Sequence, residues 1–153
     1  MSRAGRNRRL LRNRLAGVTL IELMVVLAVV AILGSLATTS YRRYMLRSNR
    51  TDAMTALLQI QVAQEKFFLQ NNSYATTVAQ AAAPPPGGLG VGITAGGVTT
   101  NGFYVVTFSN ATATTYTATA TATGAQVQDT TCPSFSINES GLRTPATSTR
   151  CWR

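Results

Sequence analysis

Glu22 is the residue whose position points most directly to a chemical role. It is the single charged residue in an apolar run from Val18 to Ala37, VTLIELMVVLAVVAILGSLA. A carboxylate costs about 2.5–3.5 kcal/mol at a bilayer centre and less near the interface, so such a residue is expected to have a partner and a use. The alternative is an interfacial glutamate in a simple anchor.

Residue types that carry catalysis or bind metals are otherwise scarce. The chain contains no histidine, and its C-terminal half has only Asp129 and Glu139 as acids. Catalytic pairs and metal clusters need such side chains in specific arrangements, and nothing in the sequence resembles a phosphate-binding loop. We therefore expect no enzymatic activity, no catalytic residue, no metal site and no cofactor.

The apolar run predicts a membrane segment. Twenty helical residues at about 1.5 Å each span the ~30 Å apolar core of a bilayer. The positive charge ahead of Gly17 should keep that end in the cytoplasm and place everything after Ala37 on the other side of the membrane. This leading charge comes from Arg3, Arg6, Arg8, Arg9, Arg12 and Arg14, with no acidic residue among them.

Two cysteines, Cys132 and Cys151, lie in the part predicted to be outside the cytoplasm. Thiols oxidise there and stay oxidised, so we predict a disulfide between them. It would close a loop of about twenty residues and contribute roughly 3 kcal/mol to stability. The alternative is a pair of buried free thiols.

One long helix is predicted for the first half of the chain. No proline precedes Pro84, and no glycine lies between Gly34 and Gly87. Nothing obvious therefore breaks a helix between Val18 and about Gln70. Its first half is apolar all round, which suits an anchor.

The second half of this helix is amphipathic and should pack on a protein core. The charged residues Arg50, Asp52 and Lys66 are expected to lie off its apolar stripe. That stripe consists of Ala53, Ala56, Leu57, Ile60, Ala63 and Phe67.

Alternating residues predict strands in the C-terminal third. FYVVTFS and TTYTATATAT have period two, with alanines facing inward and threonines toward water. A third strand is predicted from Ser134 to Asn138, followed by a turn through Gly141. The segment from Ala79 to Gly97 is expected to be an irregular loop. A disordered Thr/Ala tract is the alternative to the alternating strand.

These patterns predict an α+β fold in which the long helix packs on a small antiparallel sheet. The predicted parts are a basic leader that is removed (1–17), the membrane or filament-core half of the helix (18–38), its amphipathic half (39–72), a loop (73–101), and the sheet with the disulfide-closed C-terminal region (102–153).

The order of arginines, Gly17, VTLIE and apolar residues resembles the type IV prepilin leader. The resemblance implies that prepilin peptidase cuts between Gly17 and Val18 and methylates the new N-terminus at Val18. It also implies that Glu22, the fifth residue after the cut, pairs with the N-terminal amine of a neighbouring subunit. An ordinary signal peptide is cut after its apolar part, whereas this cut retains it.

The stretch SYRRYMLRSNRTDAMTALLQIQVAQEKFFLQNNSYAT looks like the first helix of PilE-like minor pilins, and the ending CWR resembles their disulfide-closed region. The resemblance implies a type IV pilin-like fold and a minor structural subunit of a type IV pilus, serving twitching motility and adhesion. Implied partners are other pilin subunits, prepilin peptidase, the inner-membrane assembly machinery and, before assembly, membrane lipid. The head would lie in the periplasm and then in the extracellular filament.

Three other interpretations remain open at the level of sequence. One is a secreted protein whose leader is removed after Ala37. Another is a pseudopilin of a type II secretion system, which has the same leader and helix. The third is a pilin that also binds DNA during uptake, since arginines beside an aromatic ring can hold phosphate and stack a base. Its candidate contact residues are Arg143, Arg150, Trp152 and Arg153; these charges could instead simply be solvated.

Overall fold

The computed structural model describes residues 17–145 and 150–152. The chain divides into two compact units, with the boundary between Thr39 and Ser40. The elements are α1 (Leu20–Asn71), α2 (Val78–Ala82), β1 (Tyr104–Ser109), β2 (Thr117–Ala122), β3 (Ser134–Asn138), β4 (Arg143–Thr144), and the 3-10 helices Gly124–Gln128 and Arg150–Trp152. The predicted α+β fold is confirmed.

Helix α1 begins two residues later than predicted, at Leu20. Thr19 is the reason, because its Oγ1 accepts a hydrogen bond from the Glu22 N–H at 3.2 Å and its carbonyl accepts one from the Leu23 N–H. A threonine in this role satisfies amide groups that the first helical turn leaves unpaired.

The first unit is the apolar half of α1. Every side chain from Leu20 to Thr38 is exposed within this single chain. By length and composition this part of the helix could cross a membrane. Its apolar surface is therefore available for contact with lipid or with other molecules.

The second unit, which we call the head, has one hydrophobic core. The predicted stripe of α1 is confirmed, with Ala53, Ala56, Leu57 and Ile60 all buried. The expectation that Arg50 lies off this stripe is wrong, because Arg50 is also buried. It lies three residues before Ala53 and so shares the same helix face.

The sheet is antiparallel, with the strand order β1-β2-β3-β4. Tyr104 and Val106 of β1 and Ala118 and Ala120 of β2 are all buried, which confirms the predicted inward face. The predicted third strand is β3, and Gly141 lies in the following turn with a φ of 76°. A short β4, which the sequence patterns did not indicate, completes the sheet.

The prediction of an irregular segment from Ala79 to Gly97 is only partly correct. Its start belongs to α2, whose cap residue Thr77 accepts a hydrogen bond from the Gln80 N–H while the Gln80 side chain accepts one from the Thr77 N–H. This reciprocal cap stabilises a helix of only five residues. Further along, Leu89 and Val91 are buried and tie the segment to the core.

Helix α1 ends one residue after the predicted end near Gln70. Asn71 is its last residue, and Asn72 has a φ of 53°, in the left-handed region that asparagine adopts more easily than most residues. The Asn72 N–H still donates to the Phe68 carbonyl at 2.7 Å. The chain then turns back toward the sheet.

Candidate functional site

The N-terminal candidate residues lie at the start of α1. Gly17, Val18 and Glu22 are exposed, and Glu22 occupies the first helical turn. The basic leader residues 1–16 that precede them lie outside the described residues. Val18 lies two residues before the first helical residue, Leu20, and Thr19 forms the cap between Val18 and Glu22.

A buried ion pair joins α1 to the C-terminal part of the head. Arg50 Nε donates to Asp129 Oδ2 at 2.6 Å, and Arg50 Nη2 donates to Asp129 Oδ1 at 2.7 Å. These hydrogen bonds raise the pKa of the Arg50 guanidinium above its ordinary value, although burial opposes the change. The two-point geometry fixes both position and orientation of the loop that carries Asp129.

Gln126 extends this polar connection. It is buried, and its Nε2 donates to the Leu46 carbonyl at 2.9 Å and to the Tyr104 hydroxyl at 3.0 Å. Its Oε1 accepts a hydrogen bond from Asn49 Nδ2 at 3.1 Å. The 3-10 helix Gly124–Gln128 is therefore held against α1 by side-chain hydrogen bonds as well as by the ion pair.

Cys132 and Cys151 form a disulfide with an S–S distance of 2.00 Å, and both are buried. Asp129 Oδ1 also accepts a hydrogen bond from the Cys132 N–H at 3.4 Å. Cys132 of the disulfide therefore lies three residues after Asp129 of the ion pair. Arg150 lies near Arg47 and Arg50 of α1, since the three line one cleft.

Two of the candidate surface residues lie together. The Arg143 guanidinium is 5.2 Å from the centroid of the Trp152 ring, a cation–π distance. Trp152 Nε1 donates to the Thr144 carbonyl at 3.2 Å, and the centroid of its ring lies 5.6 Å from that of Phe135 in an edge-to-face arrangement. Arg153 lies outside the described residues.

Arg150 lies on another part of the surface, facing α1 across a cleft. A cleft of about 280 Å³ is lined by Arg47, Arg50, Thr131 and Arg150. A neighbouring cleft of about 320 Å³ adds Arg43. We call the joined surface around Arg43, Arg47 and Arg150 the basic cleft; all three side chains are exposed.

Arg43 and Arg47 were not among the residues that the sequence patterns marked as part of a site. Their spacing of four residues placed them on one helix face, and that signal was available. Their proximity to Arg150 could not be predicted from the sequence, because it depends on the tertiary path that the disulfide and the Arg50–Asp129 pair impose.

Comparisons with known families agree with this architecture. A model described as the prokaryotic N-terminal methylation motif matches residues 12–38. A second model, described as type IV minor pilin ComP, DNA uptake sequence receptor, matches residues 39–136.

Two individual proteins are also similar to the chain. The type IV major pilin protein PilA of Myxococcus xanthus (strain DK1622) is 35% identical over 77 residues, which cover 50% of this chain. The chain spans about a third of that relative's length, 34%. The solved structure of a type IV pilin from Shewanella oneidensis aligns with 23% identity and a TM-score of 0.49, covering 71% of this chain and 98% of that one.

A helix with an apolar first half that lies within an N-terminal methylation motif, and a second half packed on a small antiparallel sheet, defines the class of type IV pilins. The chain belongs to the ComP family of type IV minor pilins, whose model covers most of the head. The resemblance drawn from the sequence is confirmed, and the protein is a structural subunit of a type IV pilus.

Proposed function

We propose that the chain is made as a prepilin, cut between Gly17 and Val18, methylated at Val18 and assembled through its apolar helix. The observation that carries this proposal is the placement of Glu22 in the first turn of α1, whose first half has its apolar side chains exposed all round. These surfaces must be covered by lipid and then by neighbouring helices. A mature Val18 amine would supply the cation that Glu22 lacks in the apolar run.

Substitution of Glu22 tests its role. The Glu22→Ala chain should insert into the membrane normally, because the helix becomes more apolar, but it should be depleted in sheared filaments by about tenfold or more. Ser35→Ala, a small change in the same helix, serves as the matched control and should assemble normally. Normal incorporation of Glu22→Ala would contradict the proposed pairing.

Mass spectrometry of the mature protein tests the cut. The expected N-terminus is N-methylated Val18, whereas removal of a secretory leader would leave Thr38. We further propose that prepilin peptidase and the inner-membrane assembly machinery act on this chain, with its head in the periplasm. The role is that of a minor subunit in motility and adhesion. Loss of twitching in a deletion strain would support it, and loss of exoenzyme secretion would favour a pseudopilus instead.

A second function, DNA binding during uptake, is favoured by one observation. The basic cleft brings Arg43 and Arg47 together with Arg150, a concentration of positive charge suited to phosphates. The Arg143–Trp152 pair provides an aromatic ring nearby in the sequence. The family description, DNA uptake sequence receptor, supports the same proposal.

The test measures DNA binding by the full mature chain in detergent micelles over a range of salt concentrations. Neutralising Arg43, Arg47 and Arg150 to Gln should weaken binding and reduce the slope of log K against log salt by about one for each phosphate that an arginine no longer neutralises. Lys66→Gln is the matched control, because Lys66 is exposed and lies outside the basic cleft. An unchanged salt slope in the triple variant would exclude the cleft as the DNA-binding surface.

A further inference from the structure

Aromatic and basic side chains follow closely after the apolar run in the sequence. Tyr41 and Tyr44 lie four and seven residues after Ala37, and their side chains are 64% and 68% exposed. Three arginines interleaved with these tyrosines are exposed as well. We call this group the interfacial belt: Tyr41, Arg42, Arg43, Tyr44 and Arg47.

The tyrosines of the belt have properties that suit a bilayer surface. Tyr41 and Tyr44 are three residues apart and therefore share one face of α1, which Met45, 39% exposed, extends. Tyrosine is enriched where membrane meets water, because its ring is apolar while its hydroxyl can reach polar groups. This exposed face is therefore better matched to lipid headgroups than to bulk water.

The arginines of the belt carry charges that the chain itself does not neutralise. No acidic residue lies between Glu22 and Asp52 in the sequence. Among the described residues, the single salt bridge is the Arg50–Asp129 pair, which includes no arginine of the belt. Guanidinium groups bind phosphate through two parallel hydrogen bonds, so these arginines are suited to an external phosphate group.

The two kinds of side chain lie on different sides of the helix. At about 100° per residue, Arg43 is turned about 200° from Tyr41, and Arg47 shares the face of Arg43. Arg42 Nη2 donates to Gln128 Oε1 at 2.7 Å, which leaves its other N–H donors for a ligand. Rings and charges that surround a helix suit a segment passing through a layer of headgroups.

The charge of the belt is not needed to orient the chain in a membrane. With the head in the periplasm, as proposed above, the belt follows the span on the side where basic residues are less frequent. The leader carries six arginines against three in the belt, so the leader would determine the orientation. Phospholipid phosphate is the anion present at the surface where the span ends.

We propose that the interfacial belt binds the headgroups of anionic phospholipids while the chain is held in the membrane before assembly. The inference rests on the membrane-anchored precursor of the proposed function. It requires one copy of the chain and no other subunit, which suits a minor subunit. When the chain leaves the membrane, the headgroups stay behind, and Arg43 and Arg47 become available to DNA in the basic cleft.

Lipid retention by the full chain, extracted from membranes in a neutral detergent, tests the proposal. Native mass spectrometry counts the bound lipids after addition of phosphatidylglycerol or of phosphatidylcholine with the same acyl chains. The original chain should retain phosphatidylglycerol about tenfold more tightly. Combining Arg42→Gln, Arg43→Gln and Arg47→Gln should reduce this preference to about twofold or less. Equal retention of both lipids by the original chain, or an unchanged preference in the variant, overturns the proposal.

Lysine at the same three positions separates loss of charge from loss of folding. The lysine variant should keep most of the preference, because it keeps the charge and loses only the two-point geometry. Lys66→Gln, which removes an exposed charge farther along α1, is the matched control and should behave like the original chain. A lysine variant as deficient as the glutamine variant, or an equal loss in Lys66→Gln, contradicts the proposal.

A competition experiment distinguishes a lipid from a free phosphate. Inorganic phosphate in large excess should not displace phosphatidylglycerol, because the tyrosines add apolar contact that a free ion cannot use. Tyr41→Ser combined with Tyr44→Ser should weaken retention of both lipids by a similar factor. Displacement by phosphate, or full retention by the tyrosine variant, would mean that the belt does not recognise lipid.

The same preparation keeps this inference apart from the function on which it rests. Absence of the unaltered chain from the membrane fraction would contradict the membrane-anchored precursor itself. Its presence there, with equal retention of the two lipids, would contradict only the role of the interfacial belt.

Discussion

The two halves of α1 are both helical, but the second half packs on the rest of its own chain and the first half does not. Leu27, in the first half, is 60% exposed, whereas Leu57, in the second half, is 0% exposed. The second half covers its apolar stripe with the sheet of the same chain. The first half has no such cover within the described residues, so its stability and function depend on other molecules. Assembly and folding are thus divided between two parts of one helix.

All aromatic residues of the chain lie after Ser40, in the head. Near-ultraviolet circular dichroism of the full chain in detergent therefore reports on the folding of the head alone. Sheared-filament yield reports on the apolar half. These two measurements separate effects on the folding of the head from effects on assembly through the apolar half of α1.

Asp129→Ala should have the largest effect on the head. It leaves the buried Arg50 without its counter-charge, and breaking such a pair costs about 3–5 kcal/mol. The expected result is a markedly lower unfolding midpoint in near-ultraviolet circular dichroism, with membrane insertion unchanged. Replacing both partners, Arg50→Met with Asp129→Leu, is the control and should recover most of the lost stability. If Asp129→Ala unfolds at the original midpoint, the Arg50–Asp129 pair does not contribute to the stability of the head.

A matched pair of leucine truncations tests the comparison directly. Leu57→Ala should lower the free energy of unfolding of the head by about 2–5 kcal/mol, because it removes a fully buried side chain. Leu27→Ala removes the same atoms from an exposed site and should leave the unfolding midpoint of the head unchanged. A similar loss of stability in both variants would show that the two halves do not behave independently.

Removing the disulfide should have a somewhat smaller effect. Cys132→Ser combined with Cys151→Ser frees a loop with a sequence separation of 19, and the chain-entropy model gives a loss of about 3 kcal/mol. The expected result is a lower unfolding midpoint together with weaker circular dichroism from Trp152. Reductant should lower the midpoint of the original chain in the same way, but not that of the double variant.

Alkaline pH should destabilise the head by a small but distinctive amount. Burial raises the pKa of Tyr104 and of Tyr116 in the folded head, while the unfolded chain loses these protons near pH 10. The unfolded state then binds fewer protons, so stability falls as pH rises above about 10, by up to about 1.4 kcal/mol per pH unit for each tyrosine.

Tyr116→Phe sharpens that prediction. It removes the buried hydroxyl that has no partner within the described residues, so stability at neutral pH should be unchanged or slightly higher. Above pH 10 the loss of stability should be less steep, because Tyr116 no longer contributes while Tyr104 and Tyr74, whose pKa values are also raised in the folded head, still do. The measurement is the unfolding midpoint as a function of pH, and an unchanged slope would mean that Tyr116 ionises in the folded head.

Periodic patterns were sufficient to predict the helix, three strands and the apolar stripe. They were sufficient because the 3.6-residue and two-residue periods are local properties of the sequence. The cap at Thr77 and Gln80 was also a local signal, and α2 could have been predicted from it. The disulfide followed from the predicted compartment of the two cysteines.

The polar part of the candidate site was not predictable in the same way. Arg50 looked like a surface charge because its partner, Asp129, is 79 residues away in the sequence. A buried charge is tolerated only when tertiary structure supplies its partner, and no period in the sequence reports such a pair. The basic cleft depends on the same long-range path, since Arg150 reaches α1 only through that part of the fold.

The position of the Arg50–Asp129 pair has a mechanical consequence. When a filament is pulled, tension enters each subunit through α1, and the pair passes part of that load to the segment that begins at Asp129. Three residues later, Cys132 transfers it covalently to Cys151. We therefore expect a stretched head to yield first in its hydrogen-bonded strands, while the C-terminal segment stays attached to the helix.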